Sequence, residues 1–350
     1  MAAASPDRRT ACSRSPVRSG SHRAPTTRLT APPPAPRAQE AGVHTLHHRD
    51  RRHLGWDASL PPAVEVAPGS TVELVLQDAF GGQLGPQATP ADIAALDLGA
   101  ANPLTGPVAV AGAEPGDTLA ITIDELNVGE LAWTAVIPGF GLLADEFPTP
   151  HVIVSDVGGE EEVAFGGLAR LPTRPFLGTI GVAPGEPGSH SVIPPRRVGG
   201  NMDCRDVRAG ATLLLPVEVA GALLSAGDPH GGQGDGEVCG TAIETTAVVR
   251  LTVELRHGTA IDQPQLELAP EPVAERREGP NRRLTMGVGP DLLAGARDAT
   301  RAMIELLGQH GVDPADAYAL CSVAGHLRIL EVVDAPNWVV GMEFDLDVLA

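Results

Sequence analysis

Three times along this chain a glycine-bearing turn launches a strict period-two run of apolar residues. Ala67–Thr71 precedes Val72, Leu74 and Leu76; Glu114–Thr118 precedes Leu119, Ile121 and Ile123; Arg208–Thr212 leads into Leu213 and Leu215. Period two lays every second side chain on one side of an extended backbone, the pattern of a half-buried strand. Val248–Leu255 and Met342–Asp347 alternate in the same way, and 41 glycines with 33 prolines supply the turns that many short strands need. The likeness of the three units hints at internal duplication, although shared turn chemistry explains it equally well. Helical period governs one long stretch, started by Pro290-Asp291, striped by Leu292, Leu293, Ala296, Ala299, Met303 and Leu306/Leu307, and stopped by Gly311. A shorter helix is predicted over Pro314–Leu320. The expected fold is mainly β, with packed sheets in a sandwich-like arrangement and a small α+β segment near the C-terminus.

Charge narrows the function. At a net charge of −19 the chain lacks the cationic face that nucleic acid requires, and it does not suit an anionic membrane surface. Aromatics at 3% leave few platforms for stacking bases or sugars. The longest apolar stretch, Leu213 to Gly227, is interrupted by Glu218 and is too short to span a bilayer. All 25 basic residues are arginine. Arginine keeps its proton and cannot act as a general base, so Schiff-base chemistry, a P-loop and Ser–Lys schemes are excluded. The lysine-dependent nitrilase-type and amidase-signature designs fall with them. Cys12, Cys204, Cys239 and Cys321 form no CxxC pair, and a reduced, cytoplasmic setting is expected.

Residues 1–40 differ from the rest: they hold seven arginines, a proline-rich knot at Pro32–Pro36 and little to bury. Such a segment is expected to be a disordered extension, with the catalytic domain over 41–350. Arg8-Arg9 lacks the apolar run of a twin-arginine signal, while the acid-poor composition also suits a transit peptide.

The chemistry concentrates between Gly199 and Glu244. Gly199–Asp206 and Ser225–Glu244 together carry eight glycines and six carboxylates. Glycine weakens strands, and clustered carboxylates repel one another unless a cation or a proton sits among them. Asp228 and His230 are two apart, as are Asp235 and Glu237, so on extended backbone each pair shares a side. Imidazole with carboxylates is a usual shell for zinc or a related divalent ion. Tight-turn chemistry is the plainer reading of the Gly-Asp pairs, and calcium by an EF-hand loop is ruled out by spacing.

These stretches resemble the acetamidase/formamidase family. The Gly-Gly-Asn-Met-Asp-x-Arg block is Gly199–Arg205, the Gly-Asp-x-His-x-x-Gln-Gly-Asp-Gly-Glu block is Gly227–Glu237, and the Cys-Gly-x-Ala-Ile-Glu ending is Cys239–Glu244. Trp56-Asp57, Gly106-Pro107, Gly112–Asp117 and Gly178–Ala183 also match, so the likeness runs from about Trp56 to the C-terminus. It implies a mainly β fold, a bound divalent metal, and hydrolysis of formamide, acetamide or related small amides and lactams, with ammonia released from primary amides. The chain lacks the extra C-terminal length of the longer formamidases. On this basis Asp203, Asp228 and His230 are expected to hold the ion, with zinc as the expected metal and a position left for water. Glu237 is expected as general base, and Asp235 either completes the metal shell or orients Glu237 or the water. Asn201 would hold the amide and the developing oxyanion, and Glu244 would support from the next strand. A homo-oligomer is expected.

Two alternatives stand beside this. Cys204 or Cys239 could act as a nucleophile with His230, or the chain could be a metal-free binding protein that kept the fold. His190 is expected on the surface, His44, His47, His48 and His53 in solvent, and Ser322 and His326 as packing residues.

Overall fold

The computed structural model describes residues 43–157, 162–165, 169–269, 281–314, 317 and 325–349. In chain order the strands are β1 (His44–His47), β2 (Arg52–His53), β3 (Val64–Val66), β4 (Ser70–Leu76), β5 (Leu104–Val110), β6 (Thr118–Val136), β7 (His151–Asp156), β8 (Glu162–Phe165) and β9 (Ala169–Pro172). They continue as β10 (Phe176–Gly181), β11 (Gly199–Asn201), β12 (Thr212–Pro216), β13 (Leu224–His230), β14 (Glu244–Arg256), β15 (Gln265–Glu267), β16 (Arg282–Gly289), β17 (His326–Glu331) and β18 (Trp338–Asp345). Helix α1 (Pro90–Ala94) lies between β4 and β5, and α2 (Leu292–Gln309) between β16 and β17. Strand takes 42% of the described residues against 11% for helix, so the fold is mainly β.

The three turn-launched runs are β4, the start of β6, and β12. β4 alternates buried and half-buried along its whole length, and Leu119, Ile121, Leu213 and Leu215 are fully buried. Sixteen strands join into one connected, largely antiparallel sheet, with β8 and β9 paired apart. A strand has only two edges, so long strands with three partners must change neighbours. β6 keeps β14 along one edge; on the other it pairs β12 through Thr118–Thr122 and β7 through Leu131–Val136. Such changes of partner let one sheet fold back over itself and enclose a core. That core draws Val72, Ile121, Ile180, Leu213, Leu224 and Val249 from six strands. Each such side chain contributes about 1.5–3 kcal/mol by leaving water.

Helix α2 begins where its sequence indicates, with the Asp291 carboxylate accepting from the Ala294 amide as N-cap. Its buried stripe is Gly295, Ala299, Met303 and Leu307, rotated from the expected stripe, and Leu293 is exposed. Close approach explains the rotation. A Cβ on Gly287 of β16 would collide with the Gly295 carbonyl, so the helix turns its smallest side to the sheet, and Thr285 Oγ1 donates to the Ala299 carbonyl at 2.7 Å. β18 does not alternate as expected either: Val339–Asp345 are all buried, because Met342 and Phe344 pack under α2 while Val339 enters the main core. The expected helix over 314–320 falls largely outside the described residues. Among the described residues no helix is long and apolar enough to cross a membrane.

Candidate functional site

The register of three strands assembles most of the site. β10 runs between β11 and β13, with Thr179 opposite Asn201 on one side and Gly227 on the other. β13 ends at His230, whose ladder partner in β14 is Glu244. Directly opposed residues stand about 4.5–5.5 Å apart, so pairing alone makes His230 and Glu244 neighbours. After β11 the chain turns at Asp203, where the Met202 and Asp203 amides both donate to the Gly178 carbonyl. Glu237 comes from the glycine-rich turn between β13 and β14, and Asp334 from the turn between β17 and β18.

Asp203, Asp228, His230, Glu237, Glu244 and Asp334 are all buried. They form three overlapping triples whose ligand atoms lie within 4.8 Å of one another. The backbone is strained around them. Asn102, Asp203, Asp228 and Glu237 have φ of 46°, 44°, 52° and 45°, a left-handed region that a non-glycine residue enters at a cost of about 1–2 kcal/mol. Only two other described non-glycine residues share it, so strain is gathered at this site.

Hydrogen bonds fix half of the cluster and leave the other half open. Asn102 Nδ2 donates to Asn201 Oδ1 at 3.1 Å and to Asp228 Oδ2 at 3.2 Å. Thr179 Oγ1 donates to Asn201 Oδ1 and lies 3.3 Å from Asp228 Oδ2. Asn201 Nδ2 donates to Asp334 Oδ2 at 2.5 Å. His230 Nε2 sits 3.2 Å from Asp228 Oδ1 and 3.3 Å from Glu244 Oε2, and its ring meets Phe176 edge to face at 4.8 Å. On the other side Nδ1 is 4.0 Å from Asp203 Oδ1, too far for a hydrogen bond. No donor group reaches either Asp203 oxygen, and nothing bonds His230 Nδ1; the Asp334 carboxyl bonds Asp203 only while one of the two keeps a proton. A Cβ on Gly178 would sit 2.7 Å from His230 Cε1 and 2.8 Å from Asp203 Oδ1, so the absent side chain keeps that space clear.

Electrostatics give the same result. Burial, then the charge of Glu237, pushes the Asp203 carboxyl well above its ordinary range. Burial and Asp334 do the same to Glu237, and burial and Glu331 to Asp334. Burial raises Glu244 to about 7 despite His230. For His230 burial pulls downward, but Glu244 and Asp228 outweigh it and hold the imidazole well above its usual value. Burial would raise Asp228, yet its contacts with His230 keep it low. Five carboxylates facing one imidazole need protons or a cation to balance them. Oxygen and nitrogen atoms left open around a cleared space fit a divalent ion. A cavity of about 310 Å³ opens onto this cluster.

The structure therefore brings together Asn201, Asp203, Asp228, His230, Glu237 and Glu244. Asp235 does not join them, so of its two expected roles, metal shell or orienting Glu237, its position suits the second. Its carboxylate pairs with Arg328 and Arg205, each at 3.0 Å, and the Gly236 amide donates to the Leu330 carbonyl at 2.8 Å. Asp235 thus ties the turn carrying Glu237 to β17. Cys204 lies in the main core, where burial pushes its thiol upward and away from the reactive thiolate. Cys239 Sγ donates to the Thr241 carbonyl at 3.4 Å and lines a neighbouring cavity. His53 is not solvated as expected: its ring bridges the Gly55 carbonyl at 2.8 Å and Ser225 Oγ at 2.9 Å. The His190 ring hydrogen-bonds the Glu186 carbonyl, while its backbone bridges Trp56. His326 is in β17 opposite Glu343, and Ser322 lies outside the described residues. Sequence reasoning missed Asn102, Thr179 and Asp334, which reach the cluster through the fold from outside the Gly199–Glu244 segment.

The sequence pattern of the Acetamidase/Formamidase family matches residues 40–192 and 186–350. An acetamidase from Mycolicibacterium smegmatis is 29% identical over 284 residues, covering 61% of this chain and 69% of that protein. The crystal structure of a recombinant predicted acetamidase/formamidase from Thermoanaerobacter tengcongensis superposes with a TM-score of 0.78 at 30% identity, over 86% of this chain and 95% of that one. A gamma lactamase from Delftia acidovorans has a TM-score of 0.60 at 26% identity, over 85% and 89%.

Proposed function

Because the chain belongs to the acetamidase/formamidase family, we propose that it is a metal-dependent hydrolase of the amide C–N bond, releasing ammonia from primary amides. The observation that carries the metal is the pair of Asp203 oxygens that no donor group reaches, facing the unpartnered Nδ1 of His230. Asp203, Asp228 and His230 would hold the ion, and a mixed nitrogen and oxygen set favours zinc. When bound, such an ion lowers the pKa of water and polarises an amide carbonyl.

The remaining work falls to side chains. Asp228 and Glu244 hold His230 Nε2 and so fix the ring with Nδ1 toward Asp203. Glu237 takes a proton from water as the water oxygen bonds to the carbonyl carbon. It returns that proton to nitrogen as the C–N bond breaks, leaving ammonia and a carboxylic acid. Asn201, oriented by Asn102, Thr179 and Asp334, would hold the amide and the developing oxyanion through the second hydrogen of Nδ2.

Elemental analysis of the purified protein should find about one divalent metal per chain. Chelation should abolish ammonia release and zinc should restore it; full turnover by metal-free protein would overturn the reading.

A further inference from the structure

The cavity that opens onto the cluster is larger and more apolar than a formyl or acetyl group requires. Its volume is about 310 Å³, at the lower end of the roughly 300–1,000 Å³ range of pockets that take drug-sized ligands. Acetamide has four non-hydrogen atoms. Beyond the cluster the cavity is lined by Phe80, Leu98, Ala101, Ile137, Phe140 and Ile193.

This wall is built rather than incidental. Phe80 stacks on Trp133 with ring centroids 5.1 Å apart. The turn that presents it is pinned by the Asp78 carboxylate, which accepts from the Phe80 and Gly82 amides at 2.9 and 3.0 Å. A Cβ on Gly240 would run into the Phe140 ring, so a glycine is what lets that ring lie where it does. Leu98 lines the cavity and is 58% exposed, which makes the entrance apolar too.

Among the described residues no lining group is cationic. A carboxylate or phosphate on the acyl group would find no cationic side chain along this wall to balance it. A cationic substituent would have to shed its water against aliphatic and aromatic carbon.

Resting on the amide-hydrolase reading, we propose that the preferred substrate is a primary amide with a neutral, apolar acyl group of about five to seven carbons, bound against Phe80, Ile137, Phe140 and Ile193. The amide end lies at Asn201 and Glu237, and the acyl chain fills the cavity toward Leu98.

The test measures ammonia release by the full-length, metal-loaded protein from formamide, acetamide, butyramide, hexanamide and cyclohexanecarboxamide. Each added methylene should raise kcat/KM about fourfold, the effect of moving one CH₂ out of water, so hexanamide should exceed acetamide by about 10²-fold. Leu98→Ser, at an exposed position that folding tolerates, and Ile193→Ala should each cut the hexanamide-to-acetamide ratio of kcat/KM several-fold. Rates that are flat or fall with chain length while acetamide is still cleaved would overturn the acyl-pocket proposal and keep the hydrolase. An unchanged ratio in both variants would overturn the assigned wall. Silence toward every amide from protein with full metal content would overturn the hydrolase reading itself.

Discussion

Gly178 has no side chain because His230 and Asp203 occupy the space one would need. Its φ lies outside the left-handed region, so Gly178→Ala strains nothing in the backbone; it places a methyl 2.7 Å from His230 Cε1 and 2.8 Å from Asp203 Oδ1. Metal affinity should fall by about 10–100-fold, the scale of disturbing the surroundings of a ligand. Elemental analysis against far-UV circular dichroism checks this, and a variant that keeps its metal would refute the assigned centre. Glu237 makes a different demand. Glu237→Gln keeps the size of the side chain and loses the proton acceptor, so kcat should drop by about 10²–10⁴ with metal content unchanged. Cys239→Ser should keep most activity, since that thiol reaches only two backbone carbonyls and the Thr241 hydroxyl among the described residues. A dead Cys239→Ser enzyme together with a trapped acyl-enzyme would reverse the two roles.

At the scale of elements, the turn between β13 and β14 depends on β17. Arg328, with its side chain 15% exposed, pairs with Asp206 at 2.8 Å, Asp235 at 3.0 Å and Glu343 at 2.8 Å. Arg328→Met would take one arginine from each of three carboxylates, leaving Asp235 to Arg205 and Glu343 to Arg282, and should cost about 3 kcal/mol in denaturant unfolding. Asp235→Ala should spare the metal but loosen the turn that aims Glu237, lowering kcat by up to about 10²-fold with little change in KM. Equal effects on metal content would mean that Asp235 acts through the metal after all. This strut also marks how far the sequence was legible. The alternation at Val72, Leu119 and Leu213 identified strands because period two is a local property. Asp228 and His230 were recognisable as a pair for the same reason. Asp334 and Asn102 carry no local mark of their role: each joins the site through pairings between strands far apart in the chain. Asp235 shares its motif with Glu237 but turns to Arg328, since spacing within a turn does not determine which way a carboxylate faces. The stripe of α2 was misjudged at Leu293 because a helix's apolar positions do not reveal that its partner sheet approaches at a glycine.

For the whole molecule, two properties of the sequence become experiments. Residues 1–40 carry seven arginines and no apolar face, so their deletion should leave turnover and melting nearly unchanged; a large loss of either would show that the segment builds on the body. The second experiment concerns charge. A net charge of −19 makes self-repulsion grow with pH in any form of the protein, and that background must be removed before the site can be seen. Comparing metal-loaded with chelated protein removes it, because both share the same surface. In the chelated protein Glu244 and Glu331 titrate near 7, raised by burial from 4.5. A raised carboxyl contributes stability that is intact below its unfolded pKa and is lost as pH climbs through its folded value. His230, also raised, contributes stability that is intact below its ordinary value of 6.5 and is lost at higher pH, so the terms share a sign. Ion binding needs the same groups deprotonated and strengthens over the same range. The Tm difference between zinc-loaded and chelated protein should therefore widen from about pH 5 to about pH 8, read by differential scanning calorimetry. If the two melting curves run parallel across that range, the buried carboxylates are not what the metal relieves, and Asp203 is not its ligand.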